Sequence, residues 1–329
     1  MHLSKIPKFF KSLGFQIPFI IGIHFVLIVG VLVYALIQGY DINNKRTKAY
    51  GRLLNETLVY QNQTIVDSAF TSLDKWHESI KAFPEEFDTY CDYPSIRDLV
   101  GNRPQFLLYG SVTPDLIVSC VSTGQSLVGT DISDRKYLQK TVDTKAPAIS
   151  GFQIGKASGK PSMNISYPLL NEDNEIEDIL VLSLGLEWIT EVILNLPIPQ
   201  SSEILILDNE GMILASHPSH TNRQGKQGLQ DQAFNYITRQ TSGTFKEMGI
   251  DGINRTYTFD PFAIRESKTP DAYVLVGIPD DVFLSDINAL RDKIIFLIIT
   301  TFFMEFIIVT LYARFITTPA ITTLKGNKD

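Results

Sequence analysis

The segment Glu203-Ile-Leu-Ile-Leu-Asp-Asn-Glu-Gly-Met-Ile-Leu-Ala-Ser216 sets two short apolar runs around a polar turn that ends in glycine. Runs of this length on either side of Asp208-Asn-Glu-Gly211 read as a β-hairpin. The same texture occurs earlier, where Gln105-Phe-Leu-Leu-Tyr109 and Asp115-Leu-Ile-Val-Ser119 flank a turn at Thr113-Pro114. A register shift of 97 superposes Leu107 on Ile204, Leu108 on Leu205, Leu116 on Ile213, Ile117 on Leu214 and Ser119 on Ser216. It also carries Tyr137 to Phe234 and Thr141 to Thr238. A shift of 93 carries Val181-Leu182 to Val274-Leu275 and Pro168 to Pro261. Hairpin, helix and closing strands thus recur in one order. This predicts two copies of one α+β module, with a boundary near Leu196-Pro-Ile-Pro-Gln200.

Upstream of the first copy, residues from about 41 to 82 read as one long helix. Leu54, Leu58, Ile65, Ala69, Leu73, Trp76, Ile80 and Phe83 recur at helical steps, and no proline or glycine interrupts Leu53 to Ala82. Pro84 ends it.

Two apolar stretches bracket this middle. Ile17 to Ile37 carries no formal charge and one side chain that titrates near neutrality, His24; Ile294 to Tyr312 carries one acid, Glu305. A bilayer core of ~30 Å needs about 20 apolar residues, so both are long enough to span it. Lys5, Lys8 and Lys11 precede the first, and Arg314, Lys325 and Lys328 follow the second. The positive-inside rule then places both termini in the cytoplasm and the middle outside. A cleaved signal peptide is the rival reading of the first stretch, but its apolar run exceeds the usual length and no clear cleavage site follows. His24 and Glu305 each lie seven residues from the cytoplasmic end of their span, about 10 Å deep. Ionisable groups at such depth are costly and usually find partners, so one reading pairs these two within or across subunits; the alternatives are a protonated Glu305 facing its own copy in a dimer, or His24 facing lipid.

The net charge of -7 comes from 29 Lys+Arg against 36 Asp+Glu, and the basic ends leave the middle more acidic still. That argues against nucleic acid or an anionic lipid surface as the main partner. Cys91 and Cys120 are the only cysteines. In an oxidising compartment they are expected to bridge, closing a loop of about 30 residues worth ~3–4 kcal/mol; two buried thiols are the alternative. Four Asn-x-Ser/Thr sequons, at Asn55, Asn62, Asn164 and Asn254, read as chance.

At Asp131-Ile-Ser-Asp-Arg-Lys-Tyr-Leu-Gln139 the chain resembles the signature of double Cache sensor domains, the PAS-like periplasmic modules of bacterial transmembrane receptors. Gly159-Lys-Pro161 with Asn164-Ile-Ser-Tyr-Pro168, Ile179 to Trp188, Asp208-Asn-Glu-Gly211 and Ala215-Ser-His-Pro218 resemble further family features, in the family's order. The resemblance covers about 41 to 290. It implies an α+β fold of two tandem PAS-like Cache modules on a long N-terminal helix, flanked by two transmembrane helices. The implied map is 1–16 cytoplasmic N-terminus, 17–38 first transmembrane helix and 39–84 long periplasmic helix. Then come 85–197 membrane-distal module, 198–292 membrane-proximal module, 293–313 second transmembrane helix and 314–329 cytoplasmic stub. The implied function is extracytoplasmic small-molecule sensing and signal transduction across a bacterial inner membrane. The receptor is expected to act as a homodimer and to engage a cytoplasmic signalling partner. After Arg314 only a stub resembling the start of a HAMP-type linker follows, with Pro319 and Leu324, so an output domain is expected to be absent.

The resemblance places the ligand in the distal module, with Arg135 and Tyr137 as first choices, Asp134 beside them and Tyr167 on a later strand. A guanidinium fork suits a carboxylate, and an aromatic ring can cap a cation. The alternatives are a structural salt bridge from Arg135 to Asp131 or Asp134, and core roles for Tyr137 and Tyr167. The family's amino-acid binders carry a Trp-Tyr pair where this chain has Tyr137-Leu138, and an acid on the closing strand where it has Gly185. An α-amino-acid ligand does not fit that pattern; a carboxylate, another small organic anion or a different class of ligand stays open. His217-Pro-Ser-His220 has a spacing seen in metal sites but no third ligand nearby, so no metal or cofactor is assigned. No nucleophile elbow, P-loop or zincin motif occurs, and the chain is read as no enzyme. An accessory protein that binds another membrane protein is the alternative reading; a tethered exported enzyme ranks below it.

Overall fold

A computed structural model describes residues 13–82, 103–123, 125–218, 223–249, 251–262 and 269–325. The described chain forms two units, 48–279 and the pair of segments up to Thr47 and from Asp280. One helix, α1 (Leu13–Ala82), contributes to both.

The larger unit holds two antiparallel sheets. The first contains β1 (Phe106–Val112), β2 (Val118–Val121), β3 (Ala148–Ile149), β4 (Gln153–Ile154), β5 (Pro161–Leu170) and β6 (Ile176–Gly185). Its order is β2-β1-β6-β5-β3, with β4 also paired to β5. The second contains β7 (Glu203–Asp208), β8 (Ile213–His217), β9 (Gly243–Met248), β10 (Asn254–Phe262) and β11 (Ala272–Pro279), in the order β8-β7-β11-β10-β9. The orders match strand for strand, which is the duplication expected from the register shifts. Phe106 pairs with Leu184, and Glu203 occupies the same place opposite Gly277. A bulge between Phe106 and Leu108 then moves the first sheet out of step with the second. Helix α2 (Lys136–Thr144) lies on the first sheet, α3 (Glu187–Leu194) follows β6, and α4 (Asp231–Thr238) repeats α2 in the second copy.

Each sheet buries one aliphatic face under its helix. Val112, Leu116, Tyr137, Leu138, Ile179 and Val181 form the first core, and Leu205, Leu207, Ile213, Ile237, Tyr257, Phe259, Tyr273 and Leu275 the second. Each such side chain contributes roughly 1.5–3 kcal/mol when fully buried. The opposite faces are backed by α1. Leu54, Leu58, Val66, Ala69, Phe70, Leu73 and Trp76 are buried there, and Trp76 meets Tyr109 edge-on at 6.4 Å.

The buried stripe differs from the sequence reading at one turn. Asn62 and Val66 are buried while Ile65 is only half-buried, because steps of four from Leu58 continue the inner face. The polar Asn62 interrupts the apolar pattern and hides that continuation. Asn55 is also fully buried, and its Nδ2 donates to the carbonyls of Thr258 (2.8 Å) and Val274 (3.0 Å), tying α1 to β10 and β11. Three sequon asparagines, Asn55, Asn62 and Asn164, are thus interior, and Asn254 is exposed. Helix α1 is described as far as Ala82; Phe83, Pro84, Cys91 and His220 lie outside the described residues. Cys120 is disulfide-bonded.

In the smaller unit, the first part of α1 and helix α5 (Ser285–Lys325) are long and apolar enough to cross a membrane. Their apolar side chains are exposed, as lipid-facing surfaces require. Phe25 and Phe302 meet at 5.8 Å, and His24 Nδ1 lies 3.9 Å from Glu305 Oε1. That is ion-pair range but longer than a hydrogen bond.

Candidate ligand-binding site

A cavity of about 610 Å³, including its open mouth, lies on the α2 side of the first sheet. Its floor is aliphatic: Leu108 and Val112 from β1, Val118 and Val121 from β2, and Val181 from β6, with Leu127 and Ile132 at the side. Polar lining groups include Asn164 on β5, Ser183 on β6, Gln153 on β4 and the loop Gly155–Ser158.

Arg135 and Tyr137 both line it. Arg135 is the N-cap of α2, in extended conformation, so its side chain leaves the helix start toward the cavity. Its Nη1 donates to Gln153 Oε1 at 3.0 Å, and the same oxygen accepts from Asn164 Nδ2 at 3.1 Å. Its Nε lies 3.7 Å from Asp134 Oδ2. Tyr137 is buried, and burial pushes its phenol above the ordinary tyrosine range, with the Arg135 charge opposing. It therefore stays protonated near neutrality and can donate. It serves core and cavity together, since it belongs to the first hydrophobic cluster as well.

Asp134 stands at the rim, largely exposed, and does not line the cavity. Lys156 Nζ donates to it at 2.8 Å, and that hydrogen bond holds its carboxyl below the usual range. Asp131 is likewise lowered, chiefly by the backbone N–H of Ser133. Tyr167 is on the other face of the sheet. Strand alternation sends Asn164 to the cavity and Ser166 to Thr141 of α2, so Tyr167 points toward α1, where its ring meets His77 at 5.7 Å. Gly185 is not part of the lining either; a side chain there would meet Leu107 and Glu187. The closing-strand residues that face the cavity are Val181 and Ser183, and neither carries a charge.

The sequence reading did not assign Lys156, Gln153 or Asn164 to the site. Lys156 sits between Gly155 and Ala157 in a loop whose path no periodicity reports, though a cation flanked by small residues just before a strand was a usable signal. Among the described lining residues the charged ones are Arg135 and Lys156, both cations; Asp134, beside Arg135, is engaged by Lys156. No group of three or more His, Cys, Asp or Glu side chains that could hold a metal occurs among the described residues.

No family model matches the chain, and no curated protein matches it. Solved structures do. The extracellular domain of rpHK1S-Z16, described as a histidine kinase, is 19% identical with a TM-score of 0.61, over 74% of this chain and 99% of that one. The periplasmic sensory domain of the Campylobacter jejuni chemoreceptor Tlp1 is 14% identical at TM-score 0.55, over 74% and 98%. This is the double Cache fold. The ligand-binding domain of the Pseudomonas aeruginosa chemoreceptor PctB, solved with L-Arg, is 14% identical at TM-score 0.53, over 71% and 95%. The double Cache neighbours are sensory and ligand-binding domains, and the cavity lies in the first Cache module, between its sheet and α2.

Proposed function

We propose that this chain is a two-pass inner-membrane receptor that binds a small organic anion in its first Cache module and signals inward. The observation that carries the reading is the charge of the cavity: Arg135 and Lys156 converge on an aliphatic pocket whose closing strand offers Val181 and Ser183. A carboxylate fits the guanidinium, and its apolar body fits the floor. An α-ammonium group would meet no carboxylate among the described lining residues. The basic flanks of both apolar helices support cytoplasmic termini, with residues 17–38 and 293–313 as the spans and 85–197 and 198–292 as the two modules. Helix α1 runs without a break from the first span to the first module, which gives a ligand-driven shift a stiff path toward the membrane. A homodimer passing the signal to a cytoplasmic partner suits that path.

A thermal-shift screen of the full chain in nanodiscs tests this, using matched acids that differ only in the amine: propionate against alanine, and 3-methylbutyrate against valine. The desamino acids should raise the midpoint by several degrees. Stronger stabilisation by the amino acids would overturn the anion reading, and no response to any metabolite would favour a protein partner instead.

A further inference from the structure

The turn that opens the second module reaches into the first. Asp208, 2% exposed, ends β7. Its Oδ1 accepts from the N–H groups of Glu210 (2.9 Å) and Met212 (2.8 Å), which closes its own hairpin. Its Oδ2 accepts from Phe152 N–H at 2.9 Å, a bond from the first module. The hairpin alone needs only one oxygen, so the second is committed to the contact between modules. The approach is close on both sides. A Cβ on Gly151 would lie 2.4 Å from Oδ2, and one on Gly225 (φ +72°) would lie 2.4 Å from the Phe152 ring. Residues 151–152 are therefore docked on the second module by backbone and by ring.

The next residue is Gln153, whose Oε1 holds both Arg135 and Asn164 in the cavity. Consecutive Cα atoms are about 3.8 Å apart, so the dock and the cavity cannot move independently. A second link runs from the same turn. Lys136 Nζ reaches Glu210 at 2.8 Å, and Lys136 is the residue after Arg135. Thus the turn 208–211 touches the chain neighbour of each member of the Arg135–Gln153 pair.

We propose that Asp208 is a positioning residue for the ligand cavity of the other module: through Phe152 it sets Gln153, and through Gln153 the direction of Arg135. Ligand binding and closure of the Phe152–Asp208 contact then favour each other equally, since coupling between two sites is reciprocal. The ligand arm of this inference rests on the anion reading above; the geometric arm does not.

The test uses the full chain in nanodiscs and hydrogen exchange resolved by residue segment. Asp208→Asn keeps the shape but replaces one oxygen by an NH₂ group. The two hairpin N–H groups claim the remaining oxygen, and the NH₂ faces Phe152 N–H, donor against donor. Exchange at Phe152–Gln153 and at the Leu138 and Gln139 amides, which both bond Arg135 O, should quicken about tenfold or more. Glu210 and Met212 amides should stay within about twofold. With 3-methylbutyrate as the probe, affinity should fall about 5- to 50-fold. Glu210→Gln removes the exposed Lys136 ion pair, the weaker of the two links, and should lower affinity by less than Asp208→Asn does. Should Asp208→Asn unfold the hairpin, Gly151→Ala attacks the same contact from the first module and should give the same exchange pattern. Unchanged exchange at 138–139 and 152–153 in the folded variant overturns the proposal. So does faster exchange with undiminished probe affinity. If wild type binds no 3-methylbutyrate, the anion reading fails while the exchange at 138–139 still decides this one.

Discussion

Asp178 should make the protein less stable as pH rises through mildly acidic values, and Asp178→Asn should remove that loss. Asp178 sits on β6 opposite Leu169, on the face away from the cavity, near Ser111 and Ser119. Burial pushes its carboxyl up to about 6, against weaker lowering by the Ile179 N–H and the two serine hydroxyls. An unfolded aspartate releases its proton near 3.9. Between about pH 4 and pH 6 the folded chain therefore holds a proton that the unfolded chain has lost, and stability falls as pH rises. Two pH units at about 1.4 kcal/mol each give an upper bound of ~3 kcal/mol; partial exposure of the side chain puts the expected loss nearer ~2 kcal/mol. An asparagine keeps the shape and an oxygen for Ile179 N–H, and carries no charge to desolvate. Urea unfolding followed by tryptophan fluorescence, at half-unit steps from pH 4 to pH 8, should show the variant matching wild type at pH 4. It should gain up to about 2 kcal/mol by pH 7. A variant that is equally destabilised at every pH would show that the carboxylate is held ionised by a partner, and the reasoning would fail.

Asn55→Ala removes two hydrogen bonds from α1 to the second sheet and leaves a small void, so thermal unfolding should shift down by about 5–15 °C, from a loss of ~2–4 kcal/mol. The Asp251 carboxyl is held at about 2 by the guanidinium of the buried Arg255. Its folded value lies below the unfolded one, so it stabilises above about pH 4 and the benefit is lost on acidification; Asp251→Asn should destabilise at pH 7 and match wild type near pH 2. In the smaller unit, His24→Cys and Glu305→Cys carried on one chain should be joined by a short bifunctional maleimide, since the tips of the native side chains lie 3.9 Å apart and a direct disulfide would need the Cβ atoms closer than those side chains hold them. Efficient crosslinks between two copies of position 305, with none between 24 and 305, would contradict that placement.

The duplicated module was legible because strand alternation and turn residues survive in both copies. The matching sheet orders come from pairings that the shifts of 97 and 93 already aligned. The long helix was legible from its apolar period, except where Asn55 and Asn62 face inward to bond backbone; a buried amide looks like surface in a hydropathy pattern. Arg135 and Tyr137, the first choices from the Asp131–Gln139 segment, both line the cavity. Tyr167 was misplaced because a strand residue's face depends on register, and one step moves it to the opposite side of the sheet. Lys156 and Gln153 enter the cavity from a loop and a two-residue strand, where contact depends on long-range folding and not on local pattern. The Phe152–Asp208 bond spans 56 residues, and nothing local predicts it.

The central claim is that Arg135 holds the carboxylate of a ligand that has no ammonium group. Titration calorimetry of the full chain in nanodiscs with 3-methylbutyrate, in wild type and Arg135→Ala, tests it most directly, with valine as the matched amino acid. The account predicts binding of 3-methylbutyrate by wild type, a loss of about 10- to 150-fold in Arg135→Ala, as for a charge-assisted pair of ~1.5–3 kcal/mol, and weaker binding of valine. Undiminished affinity in Arg135→Ala, or tighter binding of valine than of its desamino partner, would contradict it.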